Sequence, residues 1–247
     1  MSDISIQVKN LSKKYFLGNF GFKSLRYNLL SRFFKNLENP NKKIYALKDI
    51  NIEIKKGEAV AILGKNGSGK STLMKILSKL SAHDDGEMII EGKLIPMLHM
   101  NAGIQVEATG RENIFFIGSI MRANRKELKE KIDEIAEFSG LTKFLDTPVK
   151  KYSSGMLTKL YFSVMIILDF DILICDEIMA VSDSEFKLKC IKKIIELKEK
   201  KKTIIFISHE REIVNSVCDY GYVFTENGNL SQKLSISDAY SLYEKDF

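Results

Sequence analysis

Gly64-Lys65-Asn66-Gly67-Ser68-Gly69-Lys70-Ser71 is the stretch on which the reading of this chain turns. It fits GxxxxGK[ST], and its flanks are of the kind that pattern needs. Before it, residues 59–63 are continuously apolar, as a buried strand is; after it, residues 71–80 predict a helix that His83-Asp84-Asp85-Gly86 breaks. Glycines let the backbone curl so that its N–H groups point at phosphate oxygens, and a helix N-terminus adds positive dipole. In such a loop Lys70 bridges the β- and γ-phosphates, and the Ser71 hydroxyl, with Thr72 beside it, stands at a Mg²⁺ ion. The stretch predicts a nucleoside triphosphate site.

Downstream, residues 172–175 form a second apolar strand, which ends in Asp176-Glu177. Asp176 can hold the metal through water, and Glu177 can orient the water that attacks the γ-phosphate. His209 follows a third apolar run, 203–208. Parallel sheets present ligands at the carboxyl ends of their strands, so His209 falls on the same edge as Lys70 and Asp176, in position for a γ-phosphate contact. Helices are predicted at 184–200 and 210–217 and a strand at 220–224; Asn227-Gly228 signals a hairpin and Ser237 a cap for a last short helix. Period-2 alternation at Ile4, Ile6, Val8 and at Ile50, Ile52, Ile54 adds two half-buried strands. Between the two α/β portions, 111–121, 125–138 (capped by Asn124) and 155–168 read as helices. The predicted fold is α/β: one domain over 1–247 with a P-loop core, its mixed sheet flanked by helices. A helical subdomain is inserted at 105–168, and 169–247 return to the core.

Composition narrows the function. The 247 residues are 45% hydrophobic and 28% charged, and the stretch richest in apolar residues, 160–168, carries Ser163, stops at Asp169 and falls short of a membrane span. The N-terminus has no basic region followed by an apolar one, so no secretory signal is expected. Cys175, Cys190 and Cys218 are odd in number and widely spaced, which excludes a disulfide framework or a zinc site. A net charge of +6 permits nucleic acid, an anionic membrane face or phosphate ligands as partners. Much of it lies in an insertion at 16–44. There Phe22, Leu25, Leu29 and Phe33 share one helical face among Lys23, Arg26, Arg32, Lys35, Lys42 and Lys43. Such a basic amphipathic helix lies in a membrane interface or packs on the protein's own core.

Tyr152-Ser153-Ser154-Gly155-Met156 opens the helix at 155–168. Together with the phosphate loop, the Asp-Glu strand end and His209, it makes the chain resemble the ATPase subunit of an ABC transporter, whose signature is usually written LSGGQ. Ser154 stands for a glycine and Met156 for the glutamine. The resemblance implies ATP and Mg²⁺ as cofactors and a head-to-tail homodimer. Each of its two ATP sites would be shared between the loop of one subunit and Ser153, Ser154 and Gly155 of the other, with Asp183 in the loop that crosses the interface. It implies an aromatic ring stacked on adenine, at Tyr15 or, alternatively, Tyr45. It also implies a metal-side glutamine. Gln105 is the glutamine in the right region, while alignment on Thr109 places that position near His99 or Met100.

YSSGM, with Tyr45-Ala46-Leu47-Lys48-Asp49 and Thr109-Gly110-Arg111-Glu112-Asn113, is similar to a narrower group, the exporters of O-antigen, capsule or teichoic acid. That similarity implies an ATPase on the cytoplasmic side of the bacterial inner membrane, held there by a separate permease that contacts 97–112. Residues 22–37 would touch the lipid interface or a lipid-linked polysaccharide, and no nucleic acid is expected. A soluble ABC ATPase acting on nucleic acid or ribosomes is the alternative.

Overall fold

The computed structural model describes residues 3–16, 43–97, 103–176, 183–207, 210–225 and 228–245. The two alternating stretches become β1 (Ile4–Phe16) and β2 (Lys43–Lys55), an antiparallel pair in which Ile6 faces Ile54 and Val8 faces Ile52. Residues 17–42, which contain the amphipathic segment 22–37, join these strands and lie outside the described residues. β3 (Ala59–Leu63) runs into the glycine loop and α1 (Lys70–Leu77), and β4 (Asp85–Ile90) returns to pair with the other edge of β1. Next come β5 (Leu94–Met97), α2 (Gly110–Ile120), α3 (Arg125–Ser139) and α4 (Ser154–Ile167). The chain then gives β6 (Ile172–Asp176), α5 (Ser184–Glu199), β7 (Thr203–Ile207) and α6 (Arg211–Val217). It closes with β8 (Tyr220–Val223), β9 (Leu234–Ser235) and α7 (Ile236–Lys245).

The second sheet has the order β5-β6-β7-β3-β8-β9, with β9 alone antiparallel to its neighbour. Its strands are apolar on both faces because both faces are covered. Val60, Ile62, Ile172, Ile174, Ile205 and Ile207 pack with α1 and the β1–β2 pair. The residues between them, Ala61, Leu63, Leu173, Cys175, Ile204 and Phe206, join the helical side. Continuous apolar runs in the sequence are thus period-2 strands serving two cores. α4 is buried at every position from Leu160 to Ile167, so it runs through the helical side as an internal element.

The structure departs from the sequence reading in local places. α1 stops at Leu77 and not near 80, because Lys79 takes a left-handed conformation (φ 58°) and the Leu80 and Ser81 amides both return to the Lys75 carbonyl. β5 was not foreseen. It is short and contains Pro96, which a strand tolerates at the edge of a sheet, where β5 lies. Ser237 is not the last cap: α7 starts at Ile236, and it is Ser235 Oγ that accepts from the Asp238 amide at 3.2 Å. Among the described residues no helix is long and apolar enough to cross a membrane.

Candidate nucleotide-binding site

At the carboxyl end of β3 the backbone turns through Gly64 (φ 152°), Gly67 (φ 83°) and Gly69 (φ 112°) before α1 begins. A Cβ at Gly69 would lie 2.6 Å from the Ala46 carbonyl oxygen and 2.9 Å from Leu47 Cδ2, so β2 presses directly on the loop. The loop closes around its own lysine. Lys70 is 7% exposed, and its ammonium donates to the carbonyl oxygens of Gly64 at 2.5 Å and Lys65 at 2.7 Å. A charge this deep requires such partners.

The loop suits an anion. α1 has no acidic residue in its first turn and no side-chain cap, which leaves the amides of Ser71 and Thr72 without intrahelical acceptors. Among the described residues Ser68 Oγ, itself buried, has no hydrogen-bond partner. Lys65, Asn66 and Gly67 are exposed at the loop's tip, and among the described residues nothing comes within 4 Å of a Cβ placed at Gly67. A helix dipole of the right sign, orphan amides and an orphan hydroxyl together fit phosphate oxygens.

Asp176 ends β6, level with Ile207 on β7. β7 lies between β6 and β3, so Asp176 stands two strand spacings, about 10 Å, from the strand that leads into the loop. A serine hydroxyl and a carboxylate are the hard oxygen donors that suit Mg²⁺, which takes its other ligands from phosphate and water. That arrangement needs no carboxylate cage, and among the described residues no group of three or more His, Cys, Asp or Glu side chains is clustered for a metal. Glu177 and His209 lie outside the described residues.

The signature pentapeptide has its own local logic. Tyr152 is buried, and its hydroxyl donates to the Phe144 carbonyl at 2.7 Å. Ser153 caps α4: its Oγ accepts from the Met156 amide at 3.2 Å and keeps its own O–H to donate elsewhere. Ser154 is exposed, and among the described residues a Cβ at Gly155 would meet only Ser153 Oγ, at 3.8 Å. The N-terminus of α4, with no acid in its first turn, is therefore open to an anionic ligand approaching from outside.

Asp183 caps α5 through the Phe186 amide at 2.9 Å and pairs with Lys159 at 2.5 Å. The Lys159 hydrogen bond, with help from the Phe186 amide, holds the Asp183 carboxyl below the usual carboxylate range. Lys159, which also lies over the Phe186 ring at 5.6 Å, went unnoticed in the sequence. Its one signal is a charge standing directly before the mostly apolar run of α4. The pair ties the signature helix to the start of α5.

Tyr15 and Tyr45 are each 45% exposed, under the ammonium groups of Lys13 at 5.7 Å and Lys14 at 5.3 Å. Tyr45 is one residue from the Ala46 carbonyl that abuts Gly69. Gln105 is exposed, and its backbone is held on both sides by the fully buried Asn113, which accepts from its amide at 2.7 Å and donates to its carbonyl at 3.0 Å. His99 and Met100 lie outside the described residues.

Residues 47–180 match the ABC transporter family. An O-antigen export system ATP-binding protein from Klebsiella pneumoniae is 39% identical over 243 residues, 97% of each chain. A polysialic acid transport ATP-binding protein from Escherichia coli is 36% identical over 86% of this chain and 96% of its own. A teichoic acids export ATP-binding protein from Enterococcus faecalis is 39% identical over 88% of this chain, which spans 47% of that longer relative. A dimeric post-hydrolysis ATP-binding cassette bound to ADP and Pi superposes with a TM-score of 0.72 at 20% identity, covering 94% of this chain and 98% of that one. That likeness speaks for the fold.

The contact at Gly69 yields a graded test. Gly69→Ala sets a methyl group against backbone in a left-handed conformation, whereas Gly67→Ala meets strain but no neighbour. ATP titration of the two variants is expected to show affinity lowered by about tenfold or more for Gly69→Ala, a loss of about 1.4 kcal/mol, and by less for Gly67→Ala. Equal affinities for both variants and the parent would contradict the loop's role.

Proposed function

Because this chain belongs to the ABC transporter ATP-binding family, we propose that it is the ATP-hydrolysing subunit of an exporter that moves a bacterial surface polysaccharide, lipid-linked, through a separate membrane permease. The observation that carries the substrate class is the 39% identity over 97% of both lengths to a protein named for O-antigen export. Relatives named for polysialic acid and teichoic acid transport agree with it. The alternative, a soluble ABC ATPase acting on nucleic acid or ribosomes, gains no support from those names.

In this reading the loop amides and Lys70 hold the triphosphate, and Tyr15 stacks on adenine with Tyr45 as the alternative. Ser71 and Asp176, completed by Gln105, hold Mg²⁺, which when bound offsets phosphate charge. Glu177 orients the attacking water and His209 contacts the γ-phosphate. Ser153, Ser154 and Gly155 of a second copy close over the same phosphates, and Asp183 stands at the crossing between the copies. The free O–H of Ser153 and the uncapped first turn of α1 support a site completed from two sides. ATP binding closes the head-to-tail homodimer and hydrolysis reopens it.

The motion must reach the permease. A groove of about 410 Å³ separates the end of α1 and strands β4–β5 from the end of α2. Exposed Leu80 and Ile120 stand at its apolar wall, with Lys79, Lys93 and Arg122 around it. It spans core and helical subdomain, and β5 on its floor leads into 97–112, so a cytosolic helix of the permease seated there would feel any movement between the two. The chain then works at the cytoplasmic face of the inner membrane, peripheral through its permease, with residues 22–37 toward lipid or the lipid-linked glycan.

Two measurements test this. Glu177→Gln is expected to bind ATP and dimerise yet hydrolyse it about 100-fold or more slower in a phosphate-release assay; normal turnover would remove Glu177 from its role. Deletion of 22–37 is expected to abolish export of the cell's surface polysaccharide while the purified chain keeps its ATPase activity. Export that continues unchanged would overturn the assignment of that segment.

A further inference from the structure

Thr109-Gly110-Arg111-Glu112-Asn113 takes no part in the ATP site proposed above, yet each of the five residues is committed to a partner. Thr109 and Glu112 form a reciprocal capping box at the start of α2. Asn113, 0% exposed, gathers the backbone of Gln105, Ala108 and Thr109 around its carboxamide. Gly110 is required because any Cβ there would collide with the Tyr152 hydroxyl. Arg111 grips Asp146 with two prongs, Nε to Oδ1 at 2.7 Å and Nη2 to Oδ2 at 3.1 Å.

These contacts reinforce a short ladder. The Lys150 amide donates to the Val106 carbonyl and the Val149 amide to that of Ala108, both at 2.9 Å. In the other direction, the Gly110 amide donates to the Thr147 carbonyl at 3.2 Å and the Arg111 amide to that of Leu145 at 2.8 Å. The segment that leads into α2 is thereby bound to the one that delivers Tyr152 and Ser153 to the start of α4. The Arg111–Asp146 pair is exposed, with side chains 42% and 73% accessible. Such a pair adds little to stability, but its planar, two-pronged geometry fixes orientation.

We propose that Arg111 and Asp146 are positioning residues: with Gly110 they lock the signature's N-terminus to the segment 105–109, so that Ser153 meets the nucleotide held by a second copy in one orientation. This rests on the head-to-tail reading above. Displacement of 105–109, the stretch assigned to the permease side, would be delivered to Tyr152 and Ser153 through this clamp.

The test uses the full chain carrying Glu177→Gln, with Arg111→Ala, Asp146→Ala and the reversed pair Arg111→Asp with Asp146→Arg. Three quantities are read: ATP affinity of the dilute monomer, ATP-driven dimerisation by sedimentation velocity, and melting without nucleotide. Each single variant is expected to keep monomer ATP affinity within about twofold and the parent's melting temperature, while its dimerisation weakens about tenfold; the reversed pair recovers most of that loss. Single variants that dimerise like the parent would overturn the clamp. So would a reversed pair no better than the singles, or a fall in melting temperature that accounts for the lost dimer. If the parent itself fails to dimerise with ATP, the head-to-tail reading falls and takes the clamp with it.

Discussion

The Lys70 ammonium, buried and held by the carbonyls of Gly64 and Lys65, is the interaction around which the site is built. A cation at that depth needs charge or hydrogen-bond partners, and backbone oxygens reach it here because the loop turns through Gly64, Gly67 and Gly69 at positive φ, conformations closed to most side chains. The same curl turns the first amides of α1 outward and sets Gly69 against β2. The hairpin of β1 and β2, the parallel strand β3 and helix α1 therefore have to be assembled together for the loop to exist. The cluster of Val60, Ile62, Leu73, Met74 and Leu47 that joins them supplies that assembly.

On the opposite face of the sheet the helical subdomain solves a different problem, which is to present one helix N-terminus in a fixed attitude. α4 is anchored by its buried length, tied by Lys159 to Asp183, and approached by a segment laddered to 106–111. Ser153 is thus set by three independent constraints, none of which belongs to the phosphate loop. The capping serine, far along the sequence from the loop's lysine, is thereby held in a fixed attitude, which is what the proposed closure by a second copy requires.

Much of this was legible in the sequence, for reasons that differ by element. The loop, β3 and β6 could be read because glycine spacing and unbroken apolar runs are local signals. The cap at Asn124 could be read because capping chemistry is local too. β5 was missed because a four-residue strand containing Pro96 has no pattern of its own and exists only through pairing with β6. Ser235 and Ser237 offer the same capping chemistry in the sequence, and only the turn from β9 decides for Ser235. Lys159 and the Arg111–Asp146 pair were invisible as partners, since nothing local links residue 159 to 183 or 111 to 146.

The central claim is that the loop of one chain and the signature helix of another close on the same nucleotide. Native thiols do not interfere with a direct test by cross-linking: Cys175, Cys190 and Cys218 are buried, and burial pushes the Cys190 thiol up to about 12 and the other two upward as well. A Glu177→Gln chain carrying Asn66→Cys is mixed with one carrying Ser154→Cys and treated with a short bis-maleimide. The mixture is predicted to give a cross-linked dimer with ATP and Mg²⁺ and little without them, and neither chain is predicted to cross-link alone. Equal yields with and without nucleotide, or none at all, would contradict the composite site.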